Sequence, residues 1–173
     1  MLKNPILFSG GLPPFDEIKA THVGAGMREL LAELARDLEV LEANADPTWD
    51  AAIEAPTALG ERLGRAWGVV GHLMGVRNSD ELRAAYEEVQ PEIVAFGLRI
   101  AQSPALFAAL EGLAGGEAFA AMDETQKRII DSSLRDARLS GVALRGAEKE
   151  NIAARAGGPG AAAAAGADAG AGK

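Results

Sequence analysis

Two histidines, His22 and His72, are the side chains of this sequence whose ordinary pKa lies nearest neutrality, and cysteine is absent altogether. Without cysteine there is no disulfide, no thiolate zinc site and no cysteine nucleophile, so any metal would need His, Asp or Glu ligands. A helical zinc centre presents two imidazoles one turn apart, with a glutamate between them to polarise the bound water. His22 and His72 are fifty positions apart and fall on different predicted helices. Structural or solvated roles therefore fit them better than metal binding. Ser9, Ser79, Ser103, Ser132, Ser133 and Ser140 sit in no G-x-S-x-G elbow, and Ser79 and Ser103 are explained by their places at helix starts.

The glycines offer as little chemistry. Gly24-Ala25-Gly26 lacks the third glycine and the preceding strand of a dinucleotide fingerprint, and "GGPG" at Gly157–Gly160 lacks the lysine and hydroxyl of a phosphate loop. The acidic neighbours Glu87-Glu88 and Asp123-Glu124 point in different directions on helices, so they read as solvated charges rather than an acid/base couple. Trp49, Trp67 and Tyr86 fall in register with apolar stripes and are expected to pack. No catalytic, cofactor-binding or metal-ligating residue is nominated.

The elements that would position such groups are all helical. Val23, Met27, Leu31, Leu34, Leu38 and Leu41 recur at three- and four-residue steps and predict an amphipathic helix from Thr21. Asp46-Pro47 reads as a cap opening a short helix through Trp49 and Ile53, which Pro56 ends or kinks. Leu59, Leu63, Trp67, Val70 and Met74 predict a longer helix that stops near Gly75–Asn78. Asn78, with Glu81 three residues on, predicts a reciprocal cap for the helix carrying Leu82, Tyr86, Val89, Ile93, Phe96 and Ile100, bent at Pro91. Ser103-Pro104 caps a short helix through Leu106, Phe107 and Leu110, and Asp123 with Gln126 caps one carrying Ile130, Leu134 and Ala137. Before them, Met1–Phe15 holds three prolines and adjacent glycines, an extended lead-in.

The expected architecture is thus all-α, an antiparallel helical array over residues 1–150 followed by a low-complexity Ala/Gly tail, 151–173, expected to be disordered. The 173 residues suffice for one domain with a core. A net charge of -8 offers no field for phosphates, so nucleic acid and membrane surfaces are not expected partners. The short apolar run Ile6–Phe8 is no signal peptide, and no run approaches the ~18 apolar residues of a membrane span. A cytoplasmic location is expected.

Taken together, "NPILFSGGLPPFDEIKATHV" (4–23), "PTWDAAIEAPTALGERLGRAWGVVGHLMGVRNSDELRAAYEEVQPEI" (47–93) and "LRDARLSGVAL" (134–144) resemble the amino-terminal region of oligopeptidase A-like members of the thimet oligopeptidase and neurolysin family of zinc metallopeptidases. The resemblance implies a helical clamshell in which these helices form part of one wall of a channel admitting short peptides. It also implies a zinc-binding H-E-x-x-H helix and a further glutamate ligand, later in longer chains, that no position here matches, so this chain alone is expected to be inactive and to hold no cofactor. The implied partners are the missing catalytic region or a second copy. A stand-alone helical protein- or peptide-binding module is the alternative. The family usually reads Pro-Glu-His where this chain has Ala20-Thr21-His22, and Gly24 and Gly26 should weaken the first helix by roughly 1 kcal/mol each relative to alanine.

Overall fold

The computed structural model describes residues 4–142. The Ala/Gly tail, for which disorder is expected, lies outside the described residues. Within them every regular element is helical: α1 (Ala20–Ala43), α2 (Ala55–Val76), α3 (Asp80–Ala101), α4 (Pro104–Gly115), α5 (Glu117–Ala121) and α6 (Glu124–Leu139), with a single 3-10 turn at Pro5–Leu7 in the lead-in.

Ion pairs between neighbouring helices reveal the order of the array. Arg28 of α1 meets Glu88 and Glu92 of α3, and Glu39 and Glu42, further along α1, meet Arg99 near the end of α3. Both helices therefore run in the same direction, and α2, tied to α1 through Arg62 with Glu33 and Asp37, returns the chain between them. The three long helices and the lead-in enclose one core that includes Val23, Met27, Leu34, Leu38, Val70 and Val89, none of which is exposed. A second, smaller core joins Ala52, α4 and α6 around Ile130 and Leu113.

The first stripe needs one correction. Leu30, outside that stripe, is also buried, and Leu31 and Leu41 pack against the core half-buried; the lead-in covers the edge of α1 that carries Gly26 and Leu30. The start of the next helix also moves. Thr48, not Asp46, serves as its cap: the Thr48 hydroxyl accepts the Ala51 N–H at 3.3 Å and the Thr48 carbonyl accepts that of Ala52 at 2.9 Å. Pro47 instead packs beside Gly112 of α4, where an added Cβ would lie 2.9 Å from its ring.

Pro56 neither ends nor separates a helix. The turn before it, Asp50–Glu54, is a π turn in which the Ala55 N–H reaches back to the Asp50 carbonyl, and the chain continues directly into α2. The wider turn shifts the hydrogen-bond ladder at the one residue that has no donor to give it. The Ile53 carbonyl is taken up by the Thr57 hydroxyl at 2.6 Å.

The cap of α3 shifts by one residue: Ser79, not Asn78, accepts the Leu82 N–H. Its hydroxyl and the Glu81 N–H also favour the ionised Glu81 carboxylate, holding its pKa below the ordinary carboxylate value, with the backbone bond the larger cause. The helix then runs without interruption through Pro91, which is exposed. The caps of α4 and α6 form at Ser103 and at Asp123 with Gln126, as their sequence patterns require.

A window within Asp80–Gly115 is long and apolar enough, by length and composition, to cross a membrane. The chain breaks that stretch at Gln102–Ser103 into α3 and α4, and their apolar residues Val89, Ile93, Phe96, Leu106 and Leu110 are buried in the two cores.

Candidate functional site

The two histidines are each built into local structure. His22 stands in the first turn of α1, where its Nδ1 accepts the Lys19 N–H at 3.2 Å and its carbonyl accepts the Asn4 side-chain N–H at 2.9 Å. His72 lies on the exposed side of α2 with its ring 5.2 Å from that of Phe15, a tilted contact that pins the lead-in. Among the described residues no three His, Asp or Glu side chains gather as a metal-holding group. Holding a zinc ion through His22 Nδ1 would cost the hydrogen bond from the Lys19 N–H.

The remaining candidates are likewise explained by architecture. Trp67 and Tyr86 stack at 4.4 Å and join α2 to α3, and the Trp49 indole donates to Glu54 at 2.8 Å. Glu88 is an ion-pair partner, and with Glu92 it holds Arg28 charged well above the ordinary guanidinium range, the hydrogen bond to Glu92 being the largest cause. Asp123 is spent on its cap and Glu124 sits 3.9 Å from Lys127.

Sequence patterns alone do not reveal the junction at the α3–α4 break. Ser103, only 3% exposed, accepts the Leu106 N–H as a cap and donates to Glu42 Oε1 at 2.7 Å. Its neighbour Gln102, 8% exposed, donates to the Ser140 carbonyl at 2.6 Å. Two adjacent polar side chains thereby tie α1, α4 and the end of α6 to one point. The cap was visible in Ser103-Pro104; the Glu42 partner, 61 positions earlier, was not. Ser103→Ala should lower the unfolding free energy by about 1–2 kcal/mol, because it removes the cap and leaves Glu42 without its buried donor. Equilibrium urea unfolding measures this; no change in midpoint would show that the junction contributes nothing.

Two grooves among the described residues are each lined by several elements. One, of about 250 Å³, runs between the start of α2, the α3–α4 break and α6, over Ile53, Ile100, Phe107 and Ala137. The other, of about 350 Å³, lies between the lead-in and α1 and α2, with Ile6, Phe8 and Leu30 as its apolar lining and Glu33, Glu61, Arg62 and Arg65 among its charged residues. The first is also lined by Ser103, Ser133, Asp136 and Ser140, and the Ser103 hydroxyl there is engaged by Glu42 in the junction described above.

Residues 27–149 match the family model described as Neurolysin/Thimet oligopeptidase, N-terminal domain. A probable cytosolic oligopeptidase A of Arabidopsis thaliana is 38% identical over 149 residues, which are 86% of this chain and 21% of that protein. An organellar oligopeptidase A of the same plant, chloroplastic/mitochondrial by name, is 37% identical over 86% of this chain and 19% of its own length. Oligopeptidase A of Haemophilus influenzae is 36% identical over 83% of the chain and 21% of its own. The chain thus spans about one fifth of the length of these relatives.

Proposed function

Because the chain belongs to the neurolysin and thimet oligopeptidase family, through that family's N-terminal domain, we propose that it forms part of the wall of a channel in a zinc-dependent oligopeptidase acting on short peptides. The observation that carries this is the match over 27–149 in a chain that covers about one fifth of its relatives' length. The metal and the reacting groups then belong to the part of such an enzyme that this sequence does not include: it has two histidines and no H-E-x-x-H. Residues 1–150 form the wall unit in this reading and 151–173 an appended tail. Its partner is the catalytic region, and no residue here is assigned to catalysis or to zinc.

The purified chain is expected to bind no zinc and to hydrolyse no short peptide. Mixed with the complementary region of an oligopeptidase A, it is expected to restore chelator-sensitive cleavage. Stoichiometric zinc by elemental analysis, together with hydrolysis by the chain alone, would refute this assignment. The two surface grooves support a second reading, a stand-alone helical module that binds a peptide or a partner helix. Peptide binding by the isolated chain, with no complementation, selects that reading. On location the relatives' names divide between cytosol and organelles; a cytoplasmic place is proposed on the cysteine-free sequence, and cell fractionation tests it.

A further inference from the structure

The turn after α6 sets the chain against the groove between the start of α2, the α3–α4 break and α6. Gly141 stands at φ +84°, the left-handed conformation that closes a helix. Its N–H meets the Arg138 carbonyl at 3.0 Å, and the Val142 N–H meets that of Ala137 at 3.2 Å. This pair of bonds is a Schellman closure, and it fixes the direction in which the chain leaves α6. Ala137 and Ser140 both line the groove, and the buried Gln102 amide holds the Ser140 carbonyl at 2.6 Å. Gly141 is buried and Val142 half-buried, so the described chain ends at the rim of that groove.

The next residues in sequence suit the groove. Its apolar lining includes Ile53, Ile100 and Phe107, and its volume of about 250 Å³ admits a leucine side chain. Leu144 comes two residues after Val142, so it is tethered within about 7 Å of that rim. No other large apolar residue follows until Ile152. Arg145, directly after it, is opposite in charge to Asp136 on the lining. A side chain on so short a tether meets the groove at an effective concentration on the order of millimolar, an advantage that declines with tether length for any more distant segment.

We propose that this groove is the seat of the chain's own Leu144, which closes it to peptides and partner helices and ties the end of α6 to the α3–α4 break. A stand-alone module then binds through the groove beside the lead-in alone. The test is nuclear magnetic resonance of the full chain, with the Leu144 methyl signals identified by their loss in Leu144→Ala. Nuclear Overhauser contacts from those methyls to Ile53 and Phe107 are expected. Urea unfolding gives a second measurement: Leu144→Asp should raise the unfolding equilibrium constant roughly tenfold, the loss of one seated leucine. In an Ile53→Ala background the same replacement should have a smaller effect, because the seat is already damaged. Position 144 lies beyond the last turn of α6, so unchanged circular dichroism should show the fold retained. Absence of both contacts, or a Leu144→Asp chain that unfolds as wild type does, overturns the proposal. Groove signals that shift only on adding the complementary region of an oligopeptidase A would make the rest of a longer chain the occupant, and overturn it too. None of these outcomes decides the channel-wall reading, which rests on zinc and hydrolysis measurements.

Discussion

Leu34→Ala is expected to lower the unfolding free energy by about 3 kcal/mol, seen as a shifted urea midpoint with an unchanged slope. Leu34 lies on α1 with no exposed surface, inside the core enclosed by α1, α2, α3 and the lead-in. The cost has two parts: the apolar atoms no longer removed from water, and a cavity that long helices, linked by ion pairs such as Arg28–Glu88 and Arg62–Glu33, can close only in part. The ion pairs themselves are exposed on both partners and contribute little, so the loss falls on packing. Val40→Ala, six residues on and 63% exposed, provides the control and should stay within ±0.5 kcal/mol. If the two variants unfold at the same midpoint, α1 does not hold the central place in the core described above.

The helices could be read from sequence because their apolar residues repeat with the period of the structure that buries them. Ile130 and Leu134 of α6, Val89, Ile93 and Phe96 of α3, and the caps at Ser103 and Asp123 are local signals with local consequences. What escaped depends on chain far away in sequence. Leu30 outranks Leu31 only because the lead-in lies against that side of α1; Ser103 meets Glu42 only because α1 and α3 run parallel; Pro56 is tolerated because a π turn, which no residue pattern marks, precedes it. The lack of a local catalytic motif was legible for the same reason that the helices were. A metal helix or a nucleophile elbow is a local pattern, and neither occurs in the sequence. The grooves were not legible, since each is lined by residues from several separate elements.

Gly24 and Gly26 look equivalent in the sequence, and the structure gives their replacement by alanine opposite signs. A Cβ at Gly24 would meet Arg28 Nη1 at 3.5 Å and Val89 Cγ2 at 3.9 Å, both ordinary contacts. Gly24→Ala should therefore stabilise the chain by up to about 1 kcal/mol, the helix-propensity difference. A Cβ at Gly26 would lie 2.8–2.9 Å from three atoms of the Asn4 amide. That amide cannot simply rotate away: it donates to the His22 carbonyl at 2.9 Å and accepts the Ile6 N–H at 3.0 Å, which sets Ile6, 1% exposed, into the core. Relieving the overlap costs about 1 kcal/mol for each hydrogen bond lost, and more if Ile6 is drawn out. These losses outweigh the propensity gain, and Gly26→Ala should destabilise by about 2 kcal/mol. The double variant Asn4→Ala/Gly26→Ala separates this from any general effect of alanine in α1: with the amide gone the overlap disappears, so its loss should fall short of the sum of the two single losses. Additive losses, or stabilisation by both glycine replacements, would mean that the lead-in is not held through Gly26. The groove beside the lead-in, whose lining includes Ile6 and Phe8, depends on that same seat, so Gly26→Ala should also weaken any docking in that groove, whereas Gly24→Ala should leave it intact.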